Sequence, residues 1–248
     1  MSYLAVMTQA LAGVEAARPL AAAVVVSVVF AALARWVRGV TVGGAIAGAG
    51  ICCLLYRGGG LGAFLTLVSV FCLTWLGTRF GYRRKEKLGT AERLDGRTAW
   101  QVLANLAVAA GCAALSAATH SKAVFLLAVS AALSEAAADT VSSEVGQARR
   151  VDARLISSWE VVPAGTNGGV SWTGTVAGIA AGAFVSLVSV ITGLIPLNWL
   201  GVSIIGAVAG MIGDSFLGAL LEQRKVLNNN WVNFLGTLIA ACVAALLV

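Results

Sequence analysis

The chain has 248 residues, of which 59% are hydrophobic and 11% charged, with a mean hydropathy of +0.89. A soluble domain carries about 25% charged residues, so a water-soluble globular protein is excluded and an integral membrane protein remains. The net charge of +6 does not point to nucleic acid, because the basic residues lie in short loops between apolar runs, the pattern of topology signals.

Taken in order, residues 1–18 read as a lead-in helix lying on the membrane surface, and residues 19–248 as a single transmembrane domain. Arg18-Pro19 precedes the first long apolar run and no A-x-A-like site follows it, so no cleavable signal peptide is read. Apolar spans then cover 19–34, 40–56, 60–78, 99–119, 123–145, 169–195, 197–221 and 231–248. The expected fold class is therefore all-α, a polytopic membrane bundle of about eight transmembrane helices. The second span is short, and Gly43, Gly44, Gly48 and Gly50 mark it for close packing. The cysteines (Cys52, Cys53, Cys72, Cys112, Cys242) fall inside apolar spans without metal-ligand spacing and read as small buried hydrophobes.

Charge sets the orientation. Of the 17 basic residues, all but Arg18, Arg57 and Lys122 fall in the loops after spans one, three, five and seven. By the positive-inside rule those loops are cytoplasmic and both termini face outward. The polar residues follow the same side. Gln101 and Asn105 open span four, the acids from Glu135 to Glu144 close span five, and Gly165 to Ser171 open span six. Asp214, Ser215 and Glu222 close span seven, and Asn228 to Asn233 open span eight. His120 falls on the opposite side and reads as a plain loop residue. The tryptophans lie mostly near span ends and read as interface anchors.

The end of span five is the most informative stretch. Glu135 and Asp139 are one helical turn apart and share a face, with Ser143 on the same stripe and Glu144 rotated away. Ionisable groups at that depth are costly and mark function. Asp139-Thr140 and Asp214-Ser215 are matching acid-hydroxyl pairs on two spans of the same direction. Each Asp lies about 15 Å along a helix from a following Arg, Arg149 or Arg224. Two parallel helix pairs about an axis along the membrane normal would bring these aspartates together, an internal repeat.

Asp139, Glu144 and Asp214, with Glu135 and Glu222, have the chemistry to hold Mg²⁺, which prefers oxygen ligands and bridges carboxylates to substrate phosphates. The plainer reading is interfacial salt bridges to Arg149, Arg150, Arg154 or Arg224. Gly165-Thr166-Asn167-Gly168-Gly169, with Ser171, would present backbone and side-chain donors to a phosphate at a helix start, or would form an ordinary turn. Arg97 is four residues before Gln101 and eight before Asn105, so one helical face would show all three. Arginine suits bidentate phosphate contact. The other charges of the 79–97 loop read as topology and headgroup signals. No Ser-His-Asp set or catalytic Cys-His pair stands in the sequence. A phosphate monoester attacking a phosphoryl group needs neither, since its nucleophile is already anionic.

Several stretches together carry a family resemblance. They are Gly96-Arg97 with Gln101-Val102-Leu103-Ala104-Asn105, Ala138-Asp139-Thr140 with Ser143-Glu144, Gly165-Thr166-Asn167-Gly168-Gly169-Val170-Ser171, Gly213-Asp214-Ser215 with Gly218-Ala219, and Val232-Asn233. This ordered set, over about residues 35–248, resembles the integral membrane group containing transmembrane protein 19 and the phytyl-phosphate kinases of plants and cyanobacteria. The resemblance implies a kinase passing a phosphoryl group from CTP or ATP to phytyl or geranylgeranyl phosphate.

The combined expectation is a Mg²⁺-dependent enzyme of the plasma or inner membrane with its active site at the cytoplasmic face. Asp139, Glu144, Asp214 and Glu135 would serve the metal. Arg97, Gln101, Asn105, Thr140, Gly165, Thr166, Asn167, Gly168, Gly169, Ser171, Ser215 and Asn233 would hold phosphates and the acceptor. The lipid tail would lie among the Gly- and Ala-rich helices. A CTP-dependent lipid cytidylyltransferase and a transporter or flippase of a lipid phosphate are the alternatives.

Overall fold

A computed structural model describes residues 3–92, 95–119, 121–149 and 152–248, with side chains from residue 20 onward. His120, Arg93 and Arg150, and the side chain of Arg18, lie outside the described residues. The helices are α1 (Tyr3–Trp36), α2 (Val42–Arg79), α3 (Tyr82–Leu88), α4 (Ala99–Ala118), α5 (Lys122–Ala148), α6 (Trp172–Ile191), α7 (Leu200–Leu217) and α8 (Asn229–Leu246). A 3₁₀ turn (Leu197–Trp199) precedes α7 and a π turn (Gly218–Glu222) continues it. Six of the described helical segments are long and apolar enough to cross a membrane, and Leu20–Trp36 is a shorter apolar helix. The protein is an all-α, multi-pass membrane protein. The lead-in helix and first span expected as separate pieces form the single helix α1.

Spans two and three are the two arms of α2. A straight helix of 38 residues would run about 57 Å, nearly twice the ~30 Å hydrocarbon thickness. Gly60, at φ 64° and ψ −152°, breaks it. Gly44 packs against Arg97 just before α4, and Gly58 against Ala113 near the end of α4. On the return arm, Gly62 packs against Thr192 and Gly77 against Glu144. The arms therefore run antiparallel, and eight apolar segments result.

At the centre stands α5, packed by α2, α4, α6, α7 and α8. Its residues from Leu127 to Ala138 are all buried. Small side chains there (Ala128, Ala131, Ala132, Ala136, Ala137, Ala138) let five neighbours reach one helix. Helix α5 pairs with α6 and α7 with α8. These are antiparallel pairs in which α5 and α7 share a direction. Hydroxyls bridge the helices inside: Ser130 to Ser203, Ser134 to Ser186 and Ser186 to Ser203, each at 2.9 Å.

One feature departs from an all-helical chain. Between α5 and α6, strands β1 (Ala153–Leu155), β2 (Val161–Val162) and β3 (Gly169–Val170) form a small antiparallel sheet in the order β2-β1-β3. Residues Gly169 and Val170, expected to open span six, belong to this sheet, and α6 starts at Trp172.

Gly60 occupies a backbone region that essentially only glycine tolerates, and a side chain there would meet nothing within 4 Å. Gly60→Ala is expected to cost about 1–3 kcal/mol, seen as a lowered unfolding midpoint in detergent. Gly50→Ala, on the same arm in regular helix with open space around it, should be neutral or slightly stabilising.

Candidate active site

The polar residues gather where α4, α6 and α8 begin and α5 and α7 end. A single cavity there is lined by Arg97, Gln101, Asn105, Asp139, Thr140, Glu144, the run Gly165–Ser171, Asp214, Ser215 and Asn233. Every candidate residue from the sequence lines it except Glu135. That residue is fully buried, one helical turn further into the bundle on α5.

The carboxyls of Asp139 on α5 and Asp214 on α7 lie close enough to interact directly. Asp139 also feels the positive charge of Arg97. Oε1 of Glu135 and Oδ2 of Asp214 are buried without a hydrogen-bond partner. Both oxygens border Gly236 on α8, where an added Cβ would lie 2.6 Å from Glu135 Oε1 and 3.3 Å from Asp214 Oδ2. Three carboxyls packed this way call for a compensating positive charge, either a proton or a bound cation. Among the described residues no set of three acidic, histidine or cysteine side chains forms a ready-made metal cage. Mg²⁺ does not require one, since it keeps waters and takes one or two carboxylates plus substrate phosphates. The unpartnered oxygens and the Asp139–Asp214 contact fit a cation of that kind.

Glu144 is placed differently from the metal ligand expected of it. It forms a buried ion pair with Lys85 of α3, which also donates to the carbonyls of Gly77 (3.1 Å) and Thr78 (2.8 Å). Lys85 is 0% exposed. It closes the end of the second arm of α2 as a cation at a helix C-terminus and uses the Glu144 charge in doing so. Lys85 is thus not one of the surface headgroup charges expected of its loop.

Arg97, Gln101 and Asn105 share the cavity but not one helical face. Arg97 precedes α4 and is held by backbone bonds to the α1–α2 turn, its N–H to Gly39 O (3.0 Å) and its carbonyl to Thr41 N–H (3.0 Å). Gly96 makes this possible. It has φ 96°, and a Cβ on it would lie 2.4 Å from Val40 N. The guanidinium of Arg97 donates to Thr140 Oγ1 at 3.3 Å. Gln101 completes a capping box with Thr98 and donates to both oxygens of Glu92 at 3.2 Å. Asn105 Nδ2 donates to Gln101 O at 2.9 Å.

The glycine stretch carries the marks of a turn as well as of a cavity wall. Gly165 and Gly168 have φ of 90° and 75°, and a Cβ on Gly168 would lie 2.4 Å from Ala219 N in the π turn. Ser171 is the N-cap of α6, accepting from Gly174 N–H at 3.2 Å, and Asn228 caps α8 in the same way. Asn229 and Asn233 line the cavity. So do Thr90, Glu92, Ser142, Gln147 and Glu222. Of these, Thr90, Glu92 and Gln147 are single polar residues in a loop or a helix end, without a spacing signal in the sequence.

This is a polytopic membrane protein with its polar residues gathered into a cavity at one end of the bundle. The chain matches the family described as integral membrane protein DUF92 over residues 25–241, and it belongs to that family. It is 30% identical over 203 residues to the chloroplastic protein VTE6 of Arabidopsis thaliana, an alignment covering 78% of this chain and 61% of VTE6. It is 32% identical to an uncharacterised membrane protein of Methanocaldococcus jannaschii, covering 74% of this chain and 75% of the relative. Identity is also 32% to an uncharacterised membrane protein of Synechocystis, covering 73% and 72%. No solved structure matches.

Removing Lys85 alone leaves a buried, unpaired Glu144. Lys85→Met is expected to destabilise the protein by about 3–5 kcal/mol, while Lys85→Met with Glu144→Gln recovers part of the loss. A double-mutant cycle on unfolding in mixed micelles reads the coupling, and additive effects would rule the pair out as a structural unit.

Proposed function

We propose that this protein is a membrane-embedded kinase that phosphorylates an isoprenoid monophosphate, such as phytyl or geranylgeranyl phosphate, from a nucleoside triphosphate. One observation carries the reading. Asp139 and Asp214, delivered by two different helices, meet in a cavity that also holds Arg97 and a ring of amide and hydroxyl groups. Acids that gather positive charge, beside a guanidinium that binds phosphate, are what two anionic substrates require to approach each other. The family resemblance read from the motifs points to the same chemistry.

In the proposed reaction, an oxygen of the lipid monophosphate attacks the γ-phosphorus of the nucleotide. The new O–P bond forms as the bond from the γ-phosphorus to the β–γ bridging oxygen breaks. The nucleoside diphosphate leaves with that electron pair. Arg97 binds phosphate oxygens from its fixed loop, with Thr140 holding its guanidinium. Asn105, Asn167 and Asn233 orient the phosphates, and the Gly165–Gly169 turn offers backbone N–H groups beside them. Asp139 and Asp214, with Glu135 behind them, would hold Mg²⁺. Bound there, the ion supplies neutralisation of the nucleotide's phosphate charge. Glu144, engaged by Lys85, is left to position the end of α5. The basic loops lie at the cavity's end of the bundle, which supports a cytoplasmic active site by the positive-inside rule.

Purified protein with Mg²⁺, geranylgeranyl monophosphate and either CTP or ATP should yield the prenyl diphosphate with CDP or ADP, followed by mass spectrometry. A lipid carrying CMP, released with pyrophosphate, would replace this reading with a cytidylyltransferase. Absence of turnover in folded protein would leave transport of a lipid phosphate as the better account. Asp139→Asn and Asp214→Asn should each lower turnover by about 10²-fold or more while the protein inserts and melts as the parent does.

A further inference from the structure

A second recess adjoins the polar cavity and differs from it in chemistry. It lies between α1, the two arms of α2 and α4, with Phe30, Ala34, Gly48, Leu67, Phe71 and Leu106 on its walls. Phe30 packs edge-on against Phe71 and Phe64, with ring centroids 5.5 and 5.6 Å apart, so its aromatic side is a fixed surface. Along the second arm of α2 the lining runs from Leu67 to Arg79, about 18 Å of helix. Its upper end is polar, with Arg38 and Arg79 beside Glu92, Arg97, Gln101 and Asn105, and the last four also line the active-site cavity. The two recesses are therefore compartments on either side of one polar wall, one apolar and one able to hold phosphate.

We propose that the apolar recess is the tail site of the lipid substrate, an isoprenoid chain running from the phosphate at Arg97 down between α1 and α2, with Gly48 setting the width. This rests on the kinase reading for the identity of the headgroup. The shared wall selects the occupant, because a single ligand reaching both recesses past Arg97 must be phosphate at one end and hydrocarbon at the other. Bilayer tails are as apolar as the recess walls, so burial alone does not draw the chain in; the phosphate contacts at Arg97 hold the lipid, and the preformed aromatic walls fix the path of its tail. Gly44 and Gly48 play different parts. A Cβ on Gly44 would lie 2.3 Å from Arg97 O, so that glycine serves the fold. A Cβ on Gly48 meets nothing within 4 Å, so a larger residue there has room to enter the recess without displacing backbone.

The test uses the full-length protein in phosphatidylcholine nanodiscs with a geranylgeranyl monophosphate bearing a diazirine at the tail end. Labelled peptides are mapped by mass spectrometry, and turnover is measured in parallel. The parent protein should be labelled on peptides containing Phe30, Gly48 or Leu67, and excess unlabelled geranylgeranyl monophosphate should remove the label. Gly48→Leu should reduce that labelling roughly tenfold or more. Gly50→Leu, exposed on the same arm and outside the recess, should label as the parent does. Labelling confined to other helices, or not displaced by competitor, would overturn the tail site even if turnover is intact. Competed labelling in the recess without phosphoryl transfer would keep the tail site and overturn the kinase. Unchanged labelling in Gly48→Leu would also overturn the proposal.

Discussion

Close approach of three helices to α5 is the constraint on which the rest depends. A Cβ at Gly178 of α6 would lie 2.7 Å from Ala138 O, and one at Gly210 of α7 would lie 2.6 Å from Glu135 Cγ and 2.5 Å from Gly236 O. Nothing larger than glycine fits at these crossings. Lipid tails are as apolar as leucine, so helices in a bilayer gain little by burying hydrocarbon against one another. Dispersion at short range and hydrogen bonds between helices hold them instead. The serine hydroxyls linking α5, α6 and α7 are bonds of this kind. The same proximity brings Asp214 to Asp139, so the packing of small residues and the geometry of the acids are one property.

The acids at this end of the bundle divide into two groups by what neutralises them. Glu144 has a dedicated cation in Lys85, buried with it and tied to the last carbonyls of α2. That pair joins α2, α3 and α5 and is complete in itself. Glu135, Asp139 and Asp214 have the Arg97 charge nearby and two oxygens without partners. A buried oxygen left without a partner costs roughly 1–3 kcal/mol or more. A fold that keeps two of them beside each other is arranged to receive something positive. The first group thus belongs to the stability of the fold, and the second is the one to which the proposed reaction assigns the metal.

Arg97 joins the two halves of the site. Its backbone is fixed by Gly39 and Thr41 in the turn before α2, and its side chain reaches Thr140 on α5. It also stands on the wall between the polar cavity and the apolar recess. The proposed lipid phosphate rests on a cation held from both sides at that boundary, with its apolar and charged portions met by different walls. Several neighbouring polar residues are partly occupied by the helices themselves. Thr98 with Gln101, Ser171 and Asn228 satisfy N–H groups at helix starts. The end of the bundle that carries the site is also the end where three helices need caps, which is one reason the sequence is so polar there.

What the sequence by itself determined follows from properties carried along the chain. Hydropathy gave the membrane class and the apolar segments, including two where α2 is a single broken helix. The placement of Asp139, Thr140, Asp214 and Ser215 toward the ends of two spans, and of Asn105 and Asn233 near the starts of two spans running the other way, was enough to gather them at one end of the bundle, because a rigid helix of fixed rise places a residue at a known depth. The tertiary structure alone decided which of these groups touch. Lys85 and Glu144 are 59 residues apart in the chain, and nothing in either segment marks one as the counter-charge of the other. Arg97 reads as helical by spacing, yet its backbone bonds to the α1–α2 turn keep it outside α4. The short sheet of β1, β2 and β3 has too few residues to show a period of two. Depth is a local property of a helix, whereas contact depends on how helices are rotated and packed, and that is set by glycines and carbonyls on different segments meeting in three dimensions.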